Sequence, residues 1–256
     1  MTSPAVTMSR DADHVLTIRV LRPARLNAID GEVARGIEAG LDELERDAEL
    51  RVGILTGTQR VFSVGADLDA AVRRDRVGTD RGGFAGIVRR ERRKPVIAAV
   101  EGYALGGGLE VVLACDLCVA GEDAEFGLPE VKLGIIAGAG GLFRLPHRIP
   151  SALAMEMALT GRRLDALTLH RAGLIAALAE PGQALDVALG LASEIAANGP
   201  LAVYASRSIV ASSPGRDDQE GWRLTQEARE VLEQTADFRE GPRAFLEMRE
   251  PHWTGS

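Results

Sequence analysis

The stretch PVIAAVEGYALGGGLE, residues 95–110, decides how this chain is built. It opens with Pro95 and the unbroken apolar run Val96–Val100. Such a run, bounded by Pro and by a Gly-containing turn, reads as a strand buried on both faces. Gly102 interrupts it, and the glycines Gly106, Gly107 and Gly108 then lead into Leu109, Glu110 and the apolar Val111–Ala114. That second part reads as a Gly-rich turn opening a helix at about Gly107. Strand, turn and buried helix in this order are the mark of a layered α/β fold.

The pattern extends on both sides. His14–Leu21 (HVLTIRVL) is rich in β-branched residues and reads as a strand. Beyond the connector Arg22–Ala28, Asp30 stands at a helix N-cap position, and Val33, Ile37, Leu41 and Leu44 recur at helical spacing. Arg51–Thr56 (RVGILT) is a second strand, and Val61–Leu68 (VFSVGADL) reads as a strand ending in a turn. A helical stretch carrying Arg89, Arg90, Arg92, Arg93 and Lys94 is expected next, its charges forming a solvated face. Asp116–Ala120 adds a strand. From about Pro150, strand signals nearly vanish, and Ser151–Thr160, Asp165–Ala172, Gln183–Ala197, Pro200–Ala211 and Asp217–Thr235 suit helices. The expected division is an α/β core over residues 1–195 and a C-terminal helical region over 196–256, packed on the core or on a neighbouring subunit.

Composition narrows the function classes. The chain has 256 residues, 46% of them hydrophobic and 26% charged, an ordinary globular balance. A net charge of -7 argues against a nucleic-acid binder, while leaving room for an anionic ligand held by a local basic patch. No apolar run reaches membrane-spanning length, because Glu110 and Asp116 break the best one. Met1–Arg10 has no basic segment followed by an apolar one, so a reducing, cytoplasmic setting is expected. Cys115 and Cys118 have C-x-x-C spacing, but no second Cys/His pair completes a zinc site, and both sit in an apolar run where Cys acts as a small hydrophobe. No metal is expected.

The Gly106–Gly108 run admits two readings. Glycines at a helix start let backbone N–H groups approach a ligand, and the helix N-terminus suits an anion or a developing oxyanion; a tight turn with close packing fits equally. Glu110 lies on the same apolar helix, where a carboxylate is costly to bury without a partner or a task. Burial raises its pKa and the helix dipole lowers it, which leaves a candidate general acid or base. Glu130 follows Pro129 at the start of a short helix. Taken singly, each glutamate reads first as a charge stabilising a helix start. Gly138–Phe143 begins like a dinucleotide fingerprint but lacks its last glycine, and neither a P-loop nor a G-x-S-x-G elbow occurs.

Several motifs taken together resemble the crotonase, or enoyl-CoA hydratase/isomerase, superfamily. They are Arg22-Pro with Asn27-Ala28, Phe62–Leu68, Gly102–Glu110, Cys115-Asp116, Phe126–Glu130, Leu133–Gly141 and Glu240–Glu247, in order along the chain. The resemblance implies a crotonase-like spiral of ββα units, followed by a C-terminal helical region that assembles homotrimers, commonly paired into homohexamers. It implies an acyl-CoA thioester as substrate, with coenzyme A part of the substrate and no separate cofactor. The amides of Ala66 and Gly107 would form the oxyanion hole. Arg25, Leu26, Ala28, Ala66, Asp67, Leu68, Asp69, Gly107 and Gly138 would line the coenzyme A and acyl sites. Glu110 and Glu130 would be the catalytic pair, Glu110 acting mainly on water and Glu130 mainly on the Cα proton. Ala137 stands where many hydratases have Pro, Val64 where Ala is frequent, and Met248 where Lys is common. Gly141–His147 looks closer to carnitinyl-CoA dehydratase-like members. Both glutamates together favour hydration of a 2-enoyl-CoA over double-bond isomerisation, and both over a non-catalytic acyl-CoA-binding protein of the same fold.

Overall fold

The computed structural model describes residues 4–73 and 75–256. Its strands are β1 (Val6–Ala12), β2 (Val15–Val20), β3 (Val52–Thr56), β4 (Gly78–Thr79), β5 (Gly83–Phe84), β6 (Val96–Val100), β7 (Tyr103–Leu105), β8 (Leu117–Gly121), β9 (Glu125–Gly127), β10 (Arg163–Asp165) and β11 (Ala177–Ala179). Its helices are α1 (Gly31–Arg46), α2 (Leu68–Val72), α3 (Gly107–Ala114), α4 (Gly141–Arg144), α5 (Ser151–Thr160), α6 (Ala166–Arg171), α7 (Ala184–Ala196), α8 (Pro200–Ser212), α9 (Asp218–Leu232) and α10 (Asp237–Leu246).

One sheet runs in the order β1-β2-β3-β6-β8-β11. Only β1 is antiparallel to its neighbour; the rest are parallel, each new strand added on the same side. The central strands are buried on both faces, as their unbroken apolar sequence requires. Alternation then sorts the two faces: Val96, Ala98 and Val100 join the main core, while Ile97 and Ala99 face the other side. That other side is covered by α7, whose Ala184, Ala188, Ala192 and Ala196 recur every fourth residue and let the helix lie close. On the main-core side lies α1, its N-terminus capped by Asp30 Oδ1, which accepts from Glu32 N at 2.9 Å and Val33 N at 3.0 Å.

A second layer makes the spiral. After β6 the chain turns at Gly102 into β7 and then α3; after β8 it turns into β9 and the 3-10 helix Pro129–Leu133. β7 pairs with β9, and β9 with β10. Each turn thus places one strand in the large sheet, one extended segment in the second layer and one helix, the crotonase-fold arrangement the motifs imply. Among the described residues no single helix is long and apolar enough to cross a membrane.

Four expectations are corrected. Val61–Leu68 is not a continuous strand; the segment makes single bridges, Val61 to Thr58, Ser63 to Ala104 and Ala66 to Ile29, because different neighbours claim successive parts of it. Among its described residues, the stretch before Pro95 is not the expected helix: they form α2, the β4–β5 hairpin and a run of turns. Nor is the basic cluster a solvated face. The Arg92 side chain and Lys94 are buried, and Lys94 Nζ donates to Leu44 O at 2.8 Å, Asp47 O at 2.6 Å and Leu50 O at 2.6 Å. The free carbonyls just past a helix end are the natural partners for such a cation. Finally, strands do not end at Pro150: β10 and β11 are three-residue pieces, too short to leave a periodic signal. The two cysteines are free and buried, and burial pushes the Cys115 thiol up to about 12.

Candidate active site

The site begins where Val61–Ala66 meets the start of α3. Phe62 N and Ser63 N donate to Tyr103 O at 3.2 and 3.0 Å, and Leu105 N to Ser63 O at 3.0 Å. Ile29 N donates to Gly65 O at 2.8 Å and Asp67 N to Ile29 O at 2.9 Å. In that parallel bridge the residue between, Ala66, turns its own N–H to the opposite side. Gly65 has φ +93°, and a Cβ there would stand 2.7 Å from Gly107 N. Only glycine lets the two segments come this close. Gly107 is the first residue of α3, so its N–H has no intrahelical acceptor. Among the described residues, neither the Ala66 nor the Gly107 N–H donates to a backbone carbonyl. The Phe84 ring packs on Gly107 from the β4–β5 hairpin, 2.6 Å from where a Cβ would be.

The two glutamates are held differently. Glu110 is buried in the first turn of α3, and its Oε1 accepts from Ala139 N at 2.7 Å and Gly141 N at 2.8 Å. Burial raises its pKa above the ordinary carboxylate value, against the pull of those two amides and of Arg144. Glu130 opens the 3-10 helix Pro129–Leu133 and reaches back to α3, its Oε1 lying 3.1 Å from where a Gly106 Cβ would be. Its Oε2 is buried with no hydrogen-bond partner among the described residues. Burial raises the Glu130 pKa, its own backbone N–H opposes this, and the charge of Glu110 raises it further. One carboxylate is therefore held by two donors, and the other is left to take a proton.

A cavity of about 870 Å³ brings these groups together: Ala66, Gly107, Glu110, Glu130 and Gly138 all line it. A Cβ at Gly138 would meet nothing nearer than Ile136 O at 3.9 Å, so no packing inside the chain demands glycine there. The wall is apolar at Leu68, Phe84 and Ile136 and basic at Arg76, Arg89 and Arg144. Two undirected amides facing two carboxylates of raised pKa form a set able to hold an oxyanion and move protons beside it.

Residues 10–256 match the model of the family described as enoyl-CoA hydratase/isomerase. The chain belongs to that family. It is similar to the crystal structure of an enoyl-CoA hydratase from Mycobacterium tuberculosis H37Rv, with a TM-score of 0.96 and 46% identity over 99% of this chain and all of the other. A carnitinyl-CoA dehydratase from Salmonella agona is 39% identical over 94% of this chain and 95% of its own length. The crystal structure of a carnitinyl-CoA hydratase from Mycobacterium avium superposes with a TM-score of 0.80 and 40% identity over the full length of both chains.

In this hydratase/isomerase-family chain, the residues singled out from sequence fall into two groups. Glu110, Glu130, Ala66, Gly107, Leu68 and Gly138 line the cavity. Arg25, Leu26, Ala28, Asp67 and Asp69 do not. Arg25 and Asp69 form an exposed pair at 2.8 Å, and Leu26 is exposed beside them. Ala28 is buried. Asp67 is turned into the protein: its Oδ2 pairs with Arg22 at 3.2 Å and its Oδ1 caps α2 through Asp69 N at 3.1 Å. Burial would raise the Asp67 pKa, but the Ala70 amide and Arg22 outweigh it and hold the carboxyl below the usual value. Sequence reading missed Arg76, Phe84 and Arg144, and it assigned Arg89, part of the basic cluster, to a solvated face although it lines the cavity. For Arg144 one signal was present: a lone cation between Phe143 and Leu145 in an apolar stretch.

Proposed function

We propose that this chain catalyses the reversible addition of water to a 2-enoyl-CoA, giving a 3-hydroxyacyl-CoA. The thioester oxygen lies between the amides of Ala66 and Gly107, where enolate charge develops as water adds. Preorganised donors of this kind are each worth about 2.7–4 kcal/mol of barrier. Glu110, kept anionic by two N–H donors on Oε1, takes a proton from water through its free Oε2, and the water oxygen bonds to Cβ. Glu130, pushed toward its protonated form, delivers a proton to Cα. Each carboxyl ends in the other's starting state, and exchange through solvent resets the pair. Dehydration is the same path reversed. The carnitinyl-CoA relatives support that direction as a second use of the site.

The observation that carries this reading is the asymmetry of the pair: a doubly held carboxylate beside a buried carboxyl oxygen with no partner. Environments that differ in this way separate acid from base. The coenzyme A moiety is proposed to leave along the exposed edge formed by Arg25, Leu26 and Asp69. A homotrimer or homohexamer built through the C-terminal helices accords with the exposed Val210, Trp222 and Val231 of α8 and α9. The test is a panel of enoyl-CoA and hydroxyacyl-CoA thioesters, crotonyl-CoA first, followed by the absorbance of the conjugated thioester. Loss of conjugation with water incorporated is the expected result. Double-bond migration without water would replace this reading with isomerisation, and binding without turnover would make the chain a non-catalytic acyl-CoA binder.

A further inference from the structure

Arg144 occupies an unusual place. It ends α4, and its side chain folds back over the turn before that helix. Nη1 donates to Ala139 O at 3.3 Å, and Nη2 to Val88 O at 2.5 Å. The turn between them depends on Gly140, which has φ +111° and whose Cβ, if present, would stand 2.3 Å from Arg144 Nη1. The two amides flanking Gly140, those of Ala139 and Gly141, are the ones that hold Glu110 Oε1. One peptide segment is therefore gripped from behind by a guanidinium while it aims a carboxylate in front.

The charge of Arg144 touches no carboxylate among the described residues; its guanidinium carbon lies 5.1 Å from the centre of the Phe143 ring. It makes no salt bridge within 4.0 Å among the described residues, although other half-buried arginines, such as Arg22, pair with carboxylates. A desolvated cation without a contacting counter-ion is costly; burial works against its charge most, the Glu110 carboxylate favours it from a distance, and Arg92 and Arg148 add lesser repulsion. The charged groups facing Glu110 are Arg144 from α4 and Glu130 from the 3-10 helix, with Asp75, Arg76 and Arg89 on the cavity wall. A direct Arg144–Glu110 ion pair would stabilise the carboxylate too far for it to accept a proton. Set back by one turn, the cation favours the anion without quenching it.

We propose that Arg144 is a positioning residue for Glu110: it locks the Ala139–Gly141 turn to the Val88 carbonyl and holds Glu110 in the anionic form that activates water. This rests on the assignment of Glu110 given above. The role follows from two separable properties, the two-pronged hydrogen bonding and the charge.

The experiment compares wild type with Arg144→Met and Arg144→Lys, by the pH dependence of crotonyl-CoA hydration and by ¹³C NMR titration of the Glu110 carboxyl without substrate. The Glu110 signal is assigned by its loss in Glu110→Gln. Arg144→Met should lower kcat by about 10- to 100-fold, as loss of a group that orients a functional side chain does elsewhere. KM should stay close to wild type, and the acid limb and the NMR midpoint should both move to higher pH. Arg144→Lys should restore the acid limb and midpoint but only part of kcat, since an ammonium cannot span both carbonyls. If Arg144→Met fails to fold, the Lys variant still decides: wild-type kcat there overturns the hydrogen-bonding half of the proposal. An unshifted Glu110 midpoint in folded Arg144→Met overturns the electrostatic half. If wild type hydrates no enoyl-CoA but the midpoint still shifts, the assigned reaction fails and the coupling of Arg144 to Glu110 stands.

Discussion

The two ends of α3 each bury carboxylates, with opposite results. At the N-terminal end, Glu110 has amides but no paired cation, Glu130 has an unpartnered oxygen, and both are pushed above the ordinary carboxylate range. Just past the C-terminal end, Asp116 is also largely withdrawn from water, though its side chain keeps 18% of its exposure. Burial is the largest single influence on it and pushes it up, but Arg92 and Arg207 together outweigh that and hold it below its usual value. Asp116 also accepts from Val96 N at 2.8 Å, while Arg207 reaches in from α8 at 2.9 Å. Burial alone does not tell a working carboxylate from an architectural one; the counter-charge does. In the proposed reaction the first end exchanges protons with the substrate. The second pins a C-terminal helix to the sheet.

The largest test of this contrast is removal of charge at the active end. Glu110→Gln and Glu130→Gln should each cut crotonyl-CoA hydration by about 10²- to 10⁴-fold, the usual worth of general acid–base groups. Their urea midpoints should be unchanged or higher, since a poorly compensated buried charge is gone. Full activity in either variant would erase the distinction. At the other end, Asp116→Ala should do the reverse. It leaves Arg92 and Arg207 without their carboxylate, which should cost about 3–5 kcal/mol of stability by urea unfolding, with kcat per folded molecule close to wild type.

Linkage to pH sharpens the comparison further. Glu110 and Glu130 have folded pKa values raised above 4.5, so the folded state holds their protons more tightly. Their contribution to stability is full below the unfolded value and is lost as pH rises through the folded values. Asp116 is lowered from 3.8, so its contribution is present above that value and is lost as pH falls through the folded one. Urea unfolding across acid to neutral pH should show the upper slope disappear in the glutamate variants and the acid slope disappear in Asp116→Asn. For the same reason, kcat/KM in wild type should fall away on the acid side at a pH above the normal carboxylate range. The smallest effect belongs to Gly138. Because the protein leaves room for a side chain there, Gly138→Val should keep wild-type stability and lose about tenfold in kcat/KM by filling the cavity.

Much of this was legible in the residues. The apolar runs of β2, β3 and β6 and the 3.6-residue periodicity of α1 carried the layered α/β fold, because strands buried on both faces and amphipathic helices leave strong local patterns. Ser151–Thr160 matched α5 residue for residue, with Gly161 closing it in the left-handed region. The ordered motifs around Ala66, Gly107, Glu110 and Glu130 pointed to the family as a set.

Tertiary structure alone decided the rest. The segments of the second layer are three residues long or joined by single bridges, and such short pieces owe their conformation to their neighbours. The basic cluster looked solvated because a run of arginines usually is; carbonyls and acids distant in sequence draw Arg92 and Lys94 inward. By itself the chain's order of residues determined the long strands of the large sheet, the main helices, the family and the acidic groups worth watching. Which acid stands beside amides and which beside arginines depends on contacts across long loops, and no local pattern encodes a neighbour's charge.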